Sequence, residues 1–168
     1  MADPHIKSPM DFLDYTTVIV YRLGFVLATL ALASYPFHPT EAHFALLIAG
    51  TMLASSVHLY LKSFRFIIQY SMWIGLLCQV FGFSQLALGA AFLVIGALCF
   101  KEYFCFRIIG LNFQPVLFAA LWFCLQSNLV LVSQILIAIC SLLLLILTIQ
   151  KWRMPLHFDI GDKTKYQV

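Results

Sequence analysis

The chain has 168 residues, of which 62% are hydrophobic and 10% are charged, and its formal net charge is +3. Too few side chains are polar to cover the surface of a water-soluble domain, so the composition excludes a soluble globule and indicates a membrane protein. The basic residues lie beside apolar stretches, where they orient helices, and we expect no nucleic-acid partner. The five cysteines have no paired spacing of the Cys-x-x-Cys type, and we expect no disulfide framework.

The hydropathy predicts an all-α fold, a polytopic bundle of six transmembrane helices. A span needs about 20 apolar residues, because the hydrocarbon core is about 30 Å thick and each helical residue rises about 1.5 Å. The predicted helices lie at about 15–34, 43–61, 66–82, 84–100, 108–125 and 129–149. They form one transmembrane domain, 15–150, between an N-terminal segment, 1–14, and a tail, 151–168. The first apolar run ends in no small-residue cleavage site, so we expect it to be retained as a helix.

Breaks in the apolar sequence separate these helices. The turn at 35–40 contains Pro36 and Pro39 and divides helices one and two. The uncharged run 66–100 would measure about 52 Å as a single helix, which is too long for a bilayer, so we predict two helices that meet near Gly82. The run 108–150 divides in the same way at Gln126–Asn128. A hairpin that enters the membrane and returns without crossing is the alternative for helices three and four.

The positive charges test the number of helices independently. Short cytoplasmic loops collect Lys and Arg, whereas translocated loops avoid them. Outside the predicted spans, basic residues stand before helix one and after helices two, four and six: Lys7, Lys62, Arg65, Lys101, Arg107, Lys151, Arg153, Lys163 and Lys165. The other three connections contain no Lys or Arg. This alternation predicts an even number of crossings, with both termini in the cytoplasm.

Arg22 is the only formal charge well inside a predicted span. It lies about 10 Å past the start of helix one, where an unpaired charge costs about 3 kcal/mol. We expect its long side chain to snorkel to the nearby headgroups, because helical side chains point back toward the helix N-terminus. The alternative is that Arg22 turns inward and pairs with a residue such as Glu102.

The segment Cys99–Arg107, at the end of helix four, mixes reactive, charged and aromatic residues most densely. It supplies most of a candidate functional polar cluster, which comprises Arg22, His58, Lys101, Glu102, Cys105 and Arg107. On a continuing helix, Cys99, Glu102 and Cys105 would share one stripe and, with His58, would offer ligands to a soft metal. Ordinary packing of cysteine and an interfacial belt of aromatic and basic residues is the favoured explanation. We therefore predict no metal site and no cofactor.

Helix five contains a second group of candidate residues, Asn112, Gln114 and Pro115. Proline removes one backbone hydrogen bond, so we predict a kink, and the two amides would satisfy the freed carbonyls or line a polar path. Interhelical hydrogen bonding is the commoner use of amides in membrane helices.

The run Lys101–Phe106 reads Lys-Glu-Tyr-Phe-Cys-Phe. In a six-helix chain of this length, it resembles a family of small bacterial integral membrane proteins of unknown function with a Lys-Glu-x-Phe-Cys-Phe motif. The resemblance implies a multi-pass protein of the bacterial inner membrane. It implies no activity, and no catalytic residue is carried over from it.

Three functions are weighed on these features. Transport or permeation is favoured, because amides in helices three to six and a kinked helix five would line a path ending near Glu102 and Arg107. The alternative is a structural or accessory subunit that packs against a second copy or another membrane protein. A thiol- or metal-dependent membrane enzyme is third, because the sequence has no His-x-x-x-His run and no Gly-rich phosphate loop. A non-enzymatic role is therefore favoured and an enzyme stays the third alternative. The expected partner is the lipid bilayer, and a second copy or another membrane protein is also weighed.

Overall fold

The computed structural model describes residues 9–163, and within them the chain forms helices and no β-strand. The six α-helices are α1 (Phe12–Ser34), α2 (Pro39–Ser55), α3 (Lys62–Val80), α4 (Ser84–Phe106), α5 (Gln114–Gln126) and α6 (Val130–Arg153). Two short 3₁₀ turns, Leu111–Phe113 and Leu156–Asp159, precede α5 and follow α6. The predicted all-helical class is confirmed. Lys7 and Lys165, which contribute to the predicted charge pattern, lie outside the described residues.

Three of the helices are long and apolar enough to cross a membrane, namely α1, α4 and α6. The other three are shorter. α2 has 17 residues and α5 has 13, while α3 has 19 and carries Lys62 and Arg65 in its first turn. Length and composition therefore give three candidate spans among the described residues.

Several helix ends differ from the hydropathy-based boundaries. α2 ends at Ser55, because the chain leaves the helical conformation at Ser56 and runs irregularly to α3. α4 continues to Phe106, since Glu102 in its penultimate turn is buried and held by contacts inside the protein. It stops at Arg107, whose φ of 50° is left-handed. α5 begins only at Gln114, after Gly110 has taken a φ of 89° that favours glycine.

Short connections join the six helices, so neighbours along the chain run antiparallel. α4 lies at the centre and packs against α2, α3, α5 and α6, whereas α1 packs against α2 and α6. Close approach of α3 and α4 depends on Gly75, because a Cβ there would lie 2.5 Å from the Cβ of Ala90. Small residues thus serve packing at this contact, as they do in other membrane bundles.

One end of the bundle, which we call the basic end, is where α1 begins, α3 begins, and α2, α4 and α6 end. After α6 the chain turns back across this end, and we call Met154–Lys163 the return segment. Its 3₁₀ turn contacts α1. The backbone N–H of Asp162 donates to the hydroxyl of Tyr60 over 2.9 Å, and Lys163 Nζ lies 2.5 Å from Asp14 Oδ2. The return segment is therefore fastened to α1 and to the connection between α2 and α3.

Candidate functional site

Two opposite charges meet in the interior at the basic end. Glu102, in the penultimate turn of α4, and Lys151, near the end of α6, have side chains that are only 3% and 1% exposed. Lys151 Nζ donates to Glu102 Oε2 over 2.9 Å. An isolated charge removed from water costs several kcal/mol, so each of these groups requires a partner of opposite charge in this position.

Glu102 is fully satisfied, because its second oxygen also has donors. Its Oε1 accepts a hydrogen bond from the hydroxyl of Tyr21 over 2.8 Å and another from Lys101 Nζ over 3.2 Å. Since Tyr21 belongs to α1, the carboxylate links α1, α4 and α6 at one point. Glu102 can therefore be buried because its two oxygens accept from three donors, those of Tyr21, Lys101 and Lys151.

Arg22 joins the network from α1 and fastens the return segment. Its Nε donates to Asp159 Oδ2 over 2.7 Å, and its two terminal nitrogens donate to the carbonyls of Met154, over 2.8 Å, and Pro155, over 3.0 Å. The other Asp159 oxygen lies 2.5 Å from Lys151 Nζ. These contacts give partners to two carbonyl groups of the chain just after α6 ends.

The expected snorkelling of Arg22 is wrong. Its side chain is 2% exposed and turns inward, as in the alternative weighed from the sequence, but its carboxylate partner is Asp159 rather than Glu102. The physical reason is that the return segment brings a carboxylate and two carbonyl groups to α1. A guanidinium satisfied by such planar acceptors is stable inside the protein and has no need of the headgroups.

The network alternates in sign from one side of the basic end to the other, through Lys101, Glu102, Lys151, Asp159 and Arg22. It contains three cations and two carboxylates. Aromatic rings support the cations: the Tyr21 ring centre lies 5.0 Å from Lys101 Nζ and 4.9 Å from Lys151 Nζ. Cation–π contacts of this length are favourable when the charge is shielded from water.

A pocket of about 270 Å³ opens against the network. Lys101, Glu102 and Asp159 form its charged wall, His58 and Cys105 add polar groups, and Phe104 and Phe158 are among its apolar walls. His58 Nε2 lies 3.3 Å from Thr17 Oγ1. Burial and the nearby positive charge of Lys101 lower the pKa of His58, so its imidazole is neutral at pH 7. The site is a small cavity with one ionic wall, whose two carboxylates are both paired, and with apolar surface beside that wall.

The structure brings together five of the six residues of the predicted polar cluster. Arg22, His58, Lys101, Glu102 and Cys105 are in the network or line the pocket. Arg107 is not among them, because it is exposed at the C-cap of α4 and does not line the pocket.

The stripe weighed as a metal site does not form a ligand set. Cys99 is buried in the bundle core, whereas Cys105 is exposed and Glu102 is held by its own cationic partners. Within residues 9–163, no group of three His, Cys, Asp or Glu residues is placed to hold a metal ion.

The residues predicted to kink helix five have a different arrangement. Pro115 lies in the first turn of α5, where its missing N–H removes no helical hydrogen bond, so it begins a helix rather than bending one. Gln114 is buried, and its Nε2 donates to the carbonyl of Cys140 on α6 over 3.2 Å. Asn112 is half-buried in the preceding 3₁₀ turn. Gln114 therefore makes the interhelical bond that is the common use of such amides.

No sequence signal marks Lys151 and Asp159 of the network as site residues, or Tyr21, which donates to Glu102. Lys151 is indistinguishable from an ordinary positive-inside lysine. Asp159 lies in a tail of mixed polarity, and only the turn after Pro155 returns it to α1. The one available hint was that the buried charge of Arg22 needed an acidic partner somewhere in the chain.

The three helices that are long and apolar enough to cross a membrane are typical of the class of integral membrane proteins. A family model described as "Uncharacterized integral membrane protein (DUF2301)" matches residues 82–168, just over half of the chain. A Haemophilus influenzae (strain Rd) protein with the name "Uncharacterized protein" is 58% identical over 168 residues, which cover 100% of both chains. The chain belongs to this family of integral membrane proteins. No solved structure matches it.

Proposed function

We propose that all six helices cross a bacterial inner membrane and that the basic end faces the cytoplasm. The basic residues at the ends of α4 and α6 and at the start of α3 support this orientation, because they stand on the same side of the bundle. The opposite connections, 35–38, 81–83 and 127–129, contain no Lys or Arg. Both termini would then be cytoplasmic.

We further propose that the protein is a small transport or permeation protein whose solute enters through the pocket at the basic end. The observation that carries this proposal is the contact between the pocket and a buried ionic network. Ionisable groups inside a membrane bundle are costly, and in membrane proteins they commonly mark solute, ion or proton sites. Lys101 belongs to the network and is also 24% exposed, so the network is accessible from the pocket.

Flux measurements in proteoliposomes test this proposal. The purified chain is reconstituted, and uptake is measured for a panel of small anions, cations and neutral solutes against empty vesicles. We expect uptake of at least one solute, and we expect Glu102→Gln to reduce it because the pocket wall changes. Arg153→Gln is the matched control, since Arg153 is an exposed cation at the same end. Uptake equal to empty vesicles across the whole panel would overturn the transport proposal.

A specific observation favours an accessory subunit as the second candidate. An apolar groove of about 590 Å³ lies between α4 and α5, and Leu93, Pro115 and Phe123 are among its lining residues. Its shape is fixed in part by Trp122, whose indole N–H donates to the carbonyl of Gln85 over 2.8 Å. Extraction from native membranes in a mild detergent tests this candidate. Recovery of the chain alone, with no partner protein and no second copy, would contradict it.

A further inference from the structure

The ionic network has one more cation than it has carboxylates, and this surplus is located at Lys101. Lys151 lies between two carboxylates, and Arg22 uses its nitrogens on Asp159 and two carbonyls. Lys101 has only one ion-pair partner among the described residues, Glu102, at 3.2 Å. That oxygen already accepts from Tyr21, and Lys151 neutralises the same carboxylate.

The surplus charge faces the pocket. An ammonium group has three donors, and the described structure uses one of those of Lys101 for Glu102. The Lys101 side chain is 24% exposed and lines the cavity. Nearby, Asp14 is paired with Lys163 Nζ and therefore does not neutralise Lys101.

The two carboxylates on the pocket wall do not make it a cation site. Both oxygens of Glu102 and both oxygens of Asp159 accept from Lys or Arg groups of the network. Their charges are thus compensated. A multiply charged anion would still be repelled by the two carboxylates at short range. The charge of the pocket therefore favours an anion that carries a single negative charge.

We propose that this pocket binds a small monocarboxylate through the Nζ of Lys101. A carboxylate accepts charge-assisted hydrogen bonds from an ammonium group, and Phe104 and Phe158 provide apolar surface for a short carbon chain. A cavity of about 270 Å³ limits the ligand to about ten non-hydrogen atoms, because a cavity of about 150 Å³ holds benzene. This inference rests on the pocket of the proposed function, but it concerns binding and requires no flux.

The test is ligand-observed ¹⁹F NMR of the purified full chain in a non-ionic detergent at constant ionic strength. The probe is trifluoroacetate, with acetate and propionate as competitors and tetramethylammonium chloride as the control salt. We expect line broadening of the probe by the wild-type chain. Acetate and propionate should reverse it, whereas tetramethylammonium chloride should not.

Variants locate the binding at Lys101. Lys101→Gln should weaken binding of the probe by about tenfold or more, which is the effect of losing one charge-assisted hydrogen bond. Lys101→Arg should retain most of the binding, and Arg153→Gln should leave it unchanged. Size-exclusion profiles and helical circular dichroism confirm that each variant is folded.

The outcomes separate this inference from the transport proposal. Binding without flux would support the monocarboxylate site and overturn transport. Flux of another solute, with no saturable broadening by the wild-type chain, would overturn the monocarboxylate site alone. Equal broadening by wild type and Lys101→Gln, or equal reversal by tetramethylammonium chloride, would also overturn it.

Discussion

At the scale of single residues, the buried charges depend on one another. Lys151 is the shared cation of two carboxylates, and Glu102 is the shared acceptor of three donors. Removal of one member leaves an opposite charge inside the protein with fewer partners, which costs more than the pair itself contributes. Changes at two members of one network are therefore not additive.

We expect Lys151→Met to destabilise the protein by about 3 kcal/mol or more, because it leaves Glu102 and Asp159 without their common cation. Adding Glu102→Gln should recover part of this loss, since the second change removes one of the two stranded charges. Unfolding in mixed micelles, followed by circular dichroism, measures both variants and the single Glu102→Gln. A double variant whose loss equals the sum of the two single losses would contradict the coupling.

His58 should make stability depend on pH. Its pKa is lowered in the folded protein, so below pH about 6.5 the unfolded chain binds a proton that the folded chain does not. Stability contributed by the neutral imidazole is therefore complete above that pH and is lost as the pH falls toward the lowered pKa. In unfolding experiments, we expect the free energy of unfolding of His58→Gln to change less between pH 5 and 7 than that of the wild type. The control is His38→Gln, at the opposite end of the bundle, and an equal pH slope in all three proteins would refute the assignment.

At the scale of elements, the return segment is held mainly by the buried ion pairs of Asp159. Asp159 is bound by Arg22 and Lys151, both almost fully buried. Lys163 pairs nearer the surface, with Asp14 of α1 and with Asp11 just before it. Buried charge-assisted bonds are stronger than exposed ion pairs, which water and salt weaken. Asp159 is thus the main attachment point of this segment.

Asp159→Asn should loosen the return segment without unfolding the bundle. We expect backbone amides in 155–163 to exchange with deuterium about tenfold faster, because local opening is governed by the bonds that hold the segment. Amides in the centre of α4 should keep their exchange rates. Lys163→Gln, which removes only the outer ion pair, should have a much smaller effect. Equal exchange in 155–163 for the two variants would show that Asp159 is not the attachment point.

At the scale of the whole molecule, the main alternative concerns how α3 and α4 sit in the bilayer. α4 is long enough to cross, and it is also the central helix of the bundle. We expect this helix to cross together with the helices that it contacts. The turn between α3 and α4, at Phe81–Phe83, would then emerge on the side opposite the basic end.

Cysteine labelling tests this topology. The five native cysteines are replaced, and single cysteines are introduced by Phe83→Cys, Ser127→Cys and Arg153→Cys. In intact spheroplasts, we expect a membrane-impermeant maleimide to label positions 83 and 127 but not 153. In inverted vesicles, it should label position 153 but not 83 or 127. Labelling at 127 but never at 83 from the outside would support the hairpin that returns without crossing. Labelling of 153 in intact spheroplasts would contradict the orientation.

Much of the fold can be predicted from local sequence. The apolar runs around Phe25, Leu88 and Leu144 predict helices because hydropathy and length are local properties. Their ends are less readable: the hydropathy of 84–100 stops before Lys101, but α4 continues to Phe106 because Glu102 has partners on α1 and α6. A local hydropathy pattern does not predict such partners, because they lie far away in the sequence.

The sequence by itself determined the helical membrane class, the approximate place of each helix and the alternation of basic connections. It also singled out Lys101 and Glu102, since charges beside an apolar run are conspicuous. Only the tertiary structure decided how these charges are paired. Arg22 and Asp159 are 137 positions apart, and Tyr21 and Glu102 are 81 apart. Such pairs form because antiparallel packing brings distant helix ends together, and burial then makes pairing of each charge energetically necessary.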